Sequence, residues 1–123
     1  MNKEQRLKVY QKYNGHCAYC GKELEYKDMQ VDHIKAKVRS EIYEGLSKEE
    51  INCMDNYNPS CRMCNYRKGG LTIEEFREEI KLQAQREMER FQAKMSEAYG
   101  LIEPHFERNV KFYFEKYNKK GIL

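Results

Sequence analysis

Leu7, Tyr10 and Tyr13 recur at three-residue steps in an otherwise polar stretch, which predicts a helix over Lys3–Tyr13 that Asn14-Gly15 ends. Residues around Leu24 to Ile34 read as a short hairpin whose second arm finishes at Asp32-His33. Lys35 to Ser47 is polar without periodicity and predicts a surface loop, and Ser47-Lys-Glu-Glu50 supplies the capping pair of a short helix. Asn56-Tyr-Asn-Pro-Ser60 is turn-forming, with Ser60 placed to cap a helix over Cys61–Lys68 before Gly69-Gly70 stops it.

Beyond Gly70 the pattern becomes helical. Thr72-Ile-Glu-Glu75 is a capping box that opens a long helix, and Gly100 should close it. Ile73, Phe76, Ile80, Ala84, Met88, Phe91, Met95 and Tyr99 advance 26 residues in seven steps (99 − 73), near the straight-helix period, so packing on the domain is expected and not a sustained coiled coil. Pro104 suits the first turn of a last helix, with Phe106, Val110, Phe114 and Tyr117 as its stripe. No internal repeat or low-complexity tract interrupts the chain.

A length of 123 residues fits one small domain. With 35% charged and 40% hydrophobic residues and no long apolar run, the sequence contains neither a spanning segment nor a signal-peptide core, and a soluble cytoplasmic protein is expected. The formal charge of +3 is too mild to announce a nucleic-acid partner by itself. Its distribution is more informative: residues 1–70 hold 13 basic and 10 acidic side chains (13 − 10 = +3), whereas residues 71–123 hold 10 of each.

Cysteine spacing changes the picture most. Cys17-Ala-Tyr-Cys20 and Cys61-Arg-Met-Cys64 each place two sulfurs on one side of an ion, and four thiolates in a tetrahedron are what a structural zinc prefers. Such a site would close a loop of about forty residues and tie down the segment that carries His33. Four protein ligands leave no open position, so this zinc would be scaffolding. Cys53 is the odd cysteine and reads as a buried or indifferent free thiol.

The enclosed segment carries the candidate chemistry. Asp32 offers hard oxygen to magnesium or manganese, and His33 has the range of a general base at neutral pH. Neighbours on a strand point to opposite faces, so the two can share a site only where the strand ends or bends. On a helix from Cys61, Asn65 and Lys68 form a second i, i+3 pair beside the cysteines. Taken singly, Asn56 and Asn65 read as turn or cap residues.

Together, Cys17-Ala-Tyr-Cys20-Gly21, Val31-Asp32-His33-Ile34, Asn56, and Cys61-Arg-Met-Cys64-Asn65 with Lys68 resemble the HNH endonuclease family, in the variant whose ββα-metal site is framed by a zinc knuckle. The resemblance covers about residues 10–70. It implies that Asp32 and Asn65 are ligands of the catalytic divalent cation, that His33 deprotonates the attacking water, and that Asn56 constrains the loop and helps orient the histidine. It also implies phosphodiester hydrolysis assisted by Mg2+ or Mn2+. Gly69 stands where some relatives have another ligand, and the segment from His33 to Asn56 is longer than in compact members.

The expectation is an α+β domain: a ββα-metal core with zinc knuckles over residues 1–70, including a first helix, and a helical extension over 71–123 packed on it. The expected function is a metal-dependent endonuclease, more readily of double-stranded DNA, whose rival is a zinc-stapled module that binds nucleic acid without cutting. Arg67 and Lys68 are expected phosphate contacts, with solvated surface charges at a helix C-terminus as the other reading. A phage, restriction or mobile-element setting is left open, as is the oligomeric state.

Overall fold

The computed structural model describes residues 1–36, 39, 42–43, 45–118 and 121–122. It is an α+β arrangement in which helices surround a two-stranded antiparallel sheet. Helix α1 spans Lys3–Gln11, with Asn2 and Gln5 exchanging capping hydrogen bonds at its start. Asn14 at φ 54 and Gly15 at φ 78 turn the chain out of it. The face it buries is led by Val9, with Tyr10 and Tyr13 packed against the core; Leu7, expected in that stripe, is exposed.

Strand β1 (Gln30–His33) does not belong to a local hairpin. Its partner is β2 (Tyr57–Ser60), with Val31 opposite Pro59, Asp32 opposite Asn58 and His33 opposite Tyr57. The expected first arm is instead a single bridge between His16 and Glu23, followed by a 3-10 turn over Tyr26–Asp28. The supposed turn at 57–60 is therefore a fully buried strand. Proline is tolerated there because the sheet has only two strands, and the Pro59 carbonyl is used: it accepts the Ala18 N–H at 2.8 Å.

Helix α2 (Lys48–Ile51) carries the Ser47/Glu50 capping box that the sequence predicts. The residues between His33 and α2 include Arg39, whose guanidinium reaches Glu75 and the Gly70 carbonyl; positions 37, 38, 40, 41 and 44 of the expected loop lie outside the described residues. Helix α3 covers Arg62–Lys68, capped by Cys61, whose sulfur accepts the Cys64 N–H, and not by Ser60. Gly69 at φ 47 ends it. Strands β1 and β2 and helix α3 thus form a ββα unit.

The long helix expected from Thr72 to Gly100 is two helices, α4 (Ile73–Met88) and α5 (Phe91–Ala98), because Arg90 adopts extended backbone at φ −71, ψ 145. Packing explains why the continuous apolar spacing was misleading. Phe76 is buried and Ile73 and Ile80 touch the core, but beyond them the stripe leaves the domain, and Phe91 and Tyr99 are 75% and 74% exposed. The last expected helix shrinks to α6 (Tyr113–Lys116), followed by a short β3–β4 pairing of Tyr117–Asn118 with Gly121–Ile122; Pro104, Phe106 and Val110 lie outside regular structure. The start of α6 is tied to the first cysteine turn: the Tyr113 and Phe114 N–H groups donate to the carbonyls of Tyr19 and Ala18 at 2.9 and 2.8 Å.

These late residues complete the core instead of covering it. Phe76, Phe112 and Phe114 set their rings near perpendicular to Tyr19 at centroid distances of 5.6, 5.5 and 6.0 Å. Gly21 lies at φ 80, and a Cβ there would stand 2.6 Å from the Tyr113 ring, so both conformation and space require glycine. No helix among the described residues is long and apolar enough to cross a membrane.

Candidate active site and metal centre

Antiparallel pairing of β1 with β2 and the turn into α3 bring the two Cys-x-x-Cys turns together. The sulfurs of Cys17, Cys20, Cys61 and Cys64 all lie within 4.8 Å of one another. Those of Cys20 and Cys61 are 3.8 Å apart, which is about the edge of a tetrahedron whose centre is a zinc ion with bonds of about 2.3 Å. The donor set fits a zinc ion and offers it no open position. Cys53 is exposed and takes no part.

Proton sharing among these sulfurs points the same way. A hydrogen bond from Cys64 draws the Cys17 thiol down to about 4, the same bond pushes Cys64 up, and burial pushes Cys20 up to about 11. Four adjacent thiols cannot all ionise without a cation to hold their charge.

Next to this centre, Asp32 is 4% exposed and bonded through both of its oxygens. Its Oδ2 accepts the Tyr19 hydroxyl, and the Lys68 ammonium stands 3.1 Å from Oδ2 and 3.3 Å from Oδ1. Burial pushes the Asp32 carboxyl above its ordinary range, opposed first by the Lys68 charge and then by the Tyr19 hydrogen bond. Tyr19 is itself pushed up by burial and by the Asp32 charge. Asn58, opposite Asp32 in the sheet, donates to the Tyr19 oxygen at 3.4 Å and leaves its own Oδ1 buried without a hydrogen-bond partner.

Strand β1 ends at His33, and the chain bends at Ile34-Lys35, so consecutive residues reach one place. Asp32, His33 and Asn65 line a single open cleft of about 240 Å³ with Val31, Ala36, Gly69 and Gly70. The carboxylate and the Asn65 amide oxygen are the hard donors that magnesium or manganese takes. Gly69 contributes no side chain, and a Cβ there would meet nothing closer than the Tyr66 carbonyl at 3.9 Å, so that wall of the cleft stays open.

His33 sits edge-on to Tyr57 at 5.0 Å, and its Nε2 lies 3.2 Å from Oδ1 of Asn52. The Asn52 amide nitrogen donates to the Lys48 carbonyl, which fixes its oxygen toward the imidazole. An amide oxygen only accepts, so in this pairing Nε2 carries a hydrogen. Asn52 was not legible as a site residue; its one signal is its position directly after the capped helix α2. Asn56 is buried and fully used: it accepts from the Lys35 N–H at 2.8 Å and donates to the carbonyls of Lys35 and Ile51 at 3.0 and 2.8 Å. Its own carbonyl takes the Ile34 N–H, so it clamps the bend that follows His33.

The two expected phosphate contacts need correction. Lys68 is completely buried, and its ammonium is consumed by Asp32 and the carbonyls of His33 and Ile34 at 3.1 and 3.3 Å. Arg67 bonds Gln83 and pairs with Glu79 on α4, and it is not among the residues that line the cleft. A broader groove of about 720 Å³ instead meets His33 from its other side, with Arg6, Lys27, Gln30 and Asn52 in its walls.

No curated protein and no solved structure is detectably similar to the chain. A family model does match: HNH endonuclease, over residues 17–70, from the first knuckle cysteine to the end of the cleft.

Proposed function

We propose that this protein, residues 17–70 of which match the HNH endonuclease family model, is a divalent-cation-dependent nuclease that hydrolyses phosphodiester bonds in DNA, with His33 as general base. The observation that carries this reading is the meeting of Asp32, His33 and Asn65 in one cleft. A magnesium or manganese ion held there by Asp32 and Asn65 would stabilise the charge that develops on the phosphate and on the leaving 3′ oxygen.

The chain's own residues account for the rest. Nδ1 of His33 takes the proton of the attacking water, while Oδ1 of Asn52 holds Nε2–H and stabilises the imidazolium that results. Asn56 keeps the bend after His33 fixed, so the base does not have to be ordered during the reaction. Cys17, Cys20, Cys61 and Cys64 would hold a zinc ion that ties the two turns together, and with four protein ligands it would take no part in bond cleavage. Arg6, which also donates to the Tyr26 and Met29 carbonyls, and Lys27, paired with Glu25, line the same groove as His33 and offer it cationic groups suited to a sugar-phosphate backbone.

A second reading, a zinc-stapled module that binds nucleic acid without cutting, is favoured by the burial of Asp32 under Tyr19 and Lys68. The two part in one experiment, in which purified protein is incubated with plasmid, linear duplex, single-stranded DNA and RNA, each with magnesium, manganese or EDTA. Cleavage of DNA with either metal and none in EDTA supports the nuclease. Binding without cleavage under every condition establishes the module.

A further inference from the structure

Asp32 is the single carboxylate among the described residues that line the cleft, and it is already neutralised from within. Lys68 has no exposed surface, and its ammonium touches both Asp32 oxygens and two main-chain carbonyls. A buried ammonium of this kind persists only because it is paired. The sum over the charged groups is therefore zero, with −1 from Asp32 and +1 from Lys68, while Asn65 is neutral and Gly69 and Gly70 bring no side chain. Among the described residues of the cleft, a divalent ion entering the free protein therefore meets no net negative charge, and an ammonium a few ångström away repels it.

Yet the carboxylate is not saturated. It has about four acceptor positions, and three are filled: Tyr19 and Lys68 on Oδ2, and Lys68 at the longer 3.3 Å on Oδ1. One position on Oδ1 is left for a cation, provided that negative charge arrives from elsewhere. A phosphodiester supplies it, and magnesium-type ions are commonly completed by substrate phosphate in this way.

We propose that Lys68 is a built-in counter-cation for Asp32, so that the cleft takes up its divalent ion together with a nucleic-acid phosphate and not before it. This rests on the nuclease reading above. Lys68 is in this account a positioning residue: it holds the carboxylate and the two carbonyls at the bend, touches neither water nor substrate, and sets the order in which the site fills. Cation and nucleic acid must then bind with a mutual gain, each tightening the other by the same factor.

The test uses His33→Ala protein loaded with zinc, so that no substrate is consumed, and follows Mn2+ by its electron paramagnetic resonance signal. Titrations are made with Mn2+ alone and with Mn2+ plus a short DNA duplex, subtracting Mn2+ bound by duplex alone. Mn2+ should bind at least about tenfold tighter with duplex present, and duplex should bind tighter in Mn2+ by the same factor. Lys68→Gln, which keeps a donor for the carbonyls and removes the charge, should bind Mn2+ alone at least about tenfold tighter than the parent. Equal Mn2+ affinity with and without duplex overturns the proposal, and this comparison stands even if Lys68→Gln does not fold. Unchanged or weaker Mn2+ binding in a folded Lys68→Gln protein overturns it as well. Wild-type protein that cuts DNA while showing either result leaves the nuclease reading intact and removes only the role of Lys68.

Discussion

Tyr19 donates its hydroxyl hydrogen to Asp32 from the middle of the Cys17–Cys20 turn, so one side chain of this turn links the four-cysteine centre to the cleft. The other knuckle makes the matching connection, since Lys68 reaches the same carboxylate from the helix that Cys61 caps. Each half of the four-cysteine centre thus holds Asp32 by one residue.

Tyr19→Phe removes one of these donors and leaves the ring among Phe76, Phe112 and Phe114. The fold and bound zinc should persist, with a loss of about 1.5–3 kcal/mol for a hydrogen bond to a charged group. Chemical denaturation with a parallel zinc assay checks this, and an unchanged unfolding midpoint would show that the bond contributes nothing.

One zinc per chain should copurify with the protein. Cys61→Ser should lose it and unfold or aggregate, whereas Cys53→Ser should keep both metal and fold. The upward shifts of Cys64 and Cys20 keep protons on the metal-free set at neutral pH, so zinc must displace them. Zinc affinity should therefore rise with pH and fall on acidification, and binding should release protons into a weak buffer, measurable by calorimetry in buffers of different ionisation enthalpy.

Removing the proposed general base, His33, separates chemistry from scaffold. His33→Ala should slow DNA cleavage by about a hundred- to ten-thousand-fold while zinc content and DNA binding stay unchanged. Asn52→Ala should cause a smaller loss, because the imidazole keeps its place against Tyr57 but no longer has its tautomer held. Asn56→Ala should lower turnover with little change in cation affinity and destabilise the protein, since it strands polar groups at Lys35 and Ile51. Equal rates for His33→Ala and wild type in the same metal would refute the assignment.

The buried pair gives a prediction about stability. Burial raises the Asp32 carboxyl, so its contribution favours folding fully below the unfolded value of 3.8 and is lost as pH rises through the folded value. At neutral pH the ionised form opposes folding and is tolerated because Lys68 is beside it. Asp32→Asn or Lys68→Met alone should each cost about 3–5 kcal/mol by leaving an unpaired buried charge, and the double variant should recover much of that loss. Additive losses in a denaturation cycle would contradict this.

What the sequence disclosed followed from its chemistry. Cys17, Cys20, Cys61 and Cys64 announce themselves because metal ligation restricts spacing, and the Ser47 and Thr72 caps because their hydrogen bonds are local. Strand β2 was hidden because Asn56 to Ser60 has turn composition and becomes a strand only through distant pairing with Gln30–His33. The split between α4 and α5 has no glycine or proline to mark it. Lys68, beside Arg67 at a helix end, has the look of a surface charge; its burial depends on a carboxylate 36 positions away.

The aromatic surroundings of Tyr19 bear on how portable this site is. Phe76, Phe112 and Phe114, with the Tyr113 ring against Gly21, all come from beyond Gly70, yet they seat the residue that holds Asp32. The stretch that carries the family signature is consequently not a cassette. Grafted elsewhere as residues 17–70 alone, it would bring every ligand and the histidine but leave Tyr19 without the wall it leans on, so a transplant has to carry the segment around Phe112 as well.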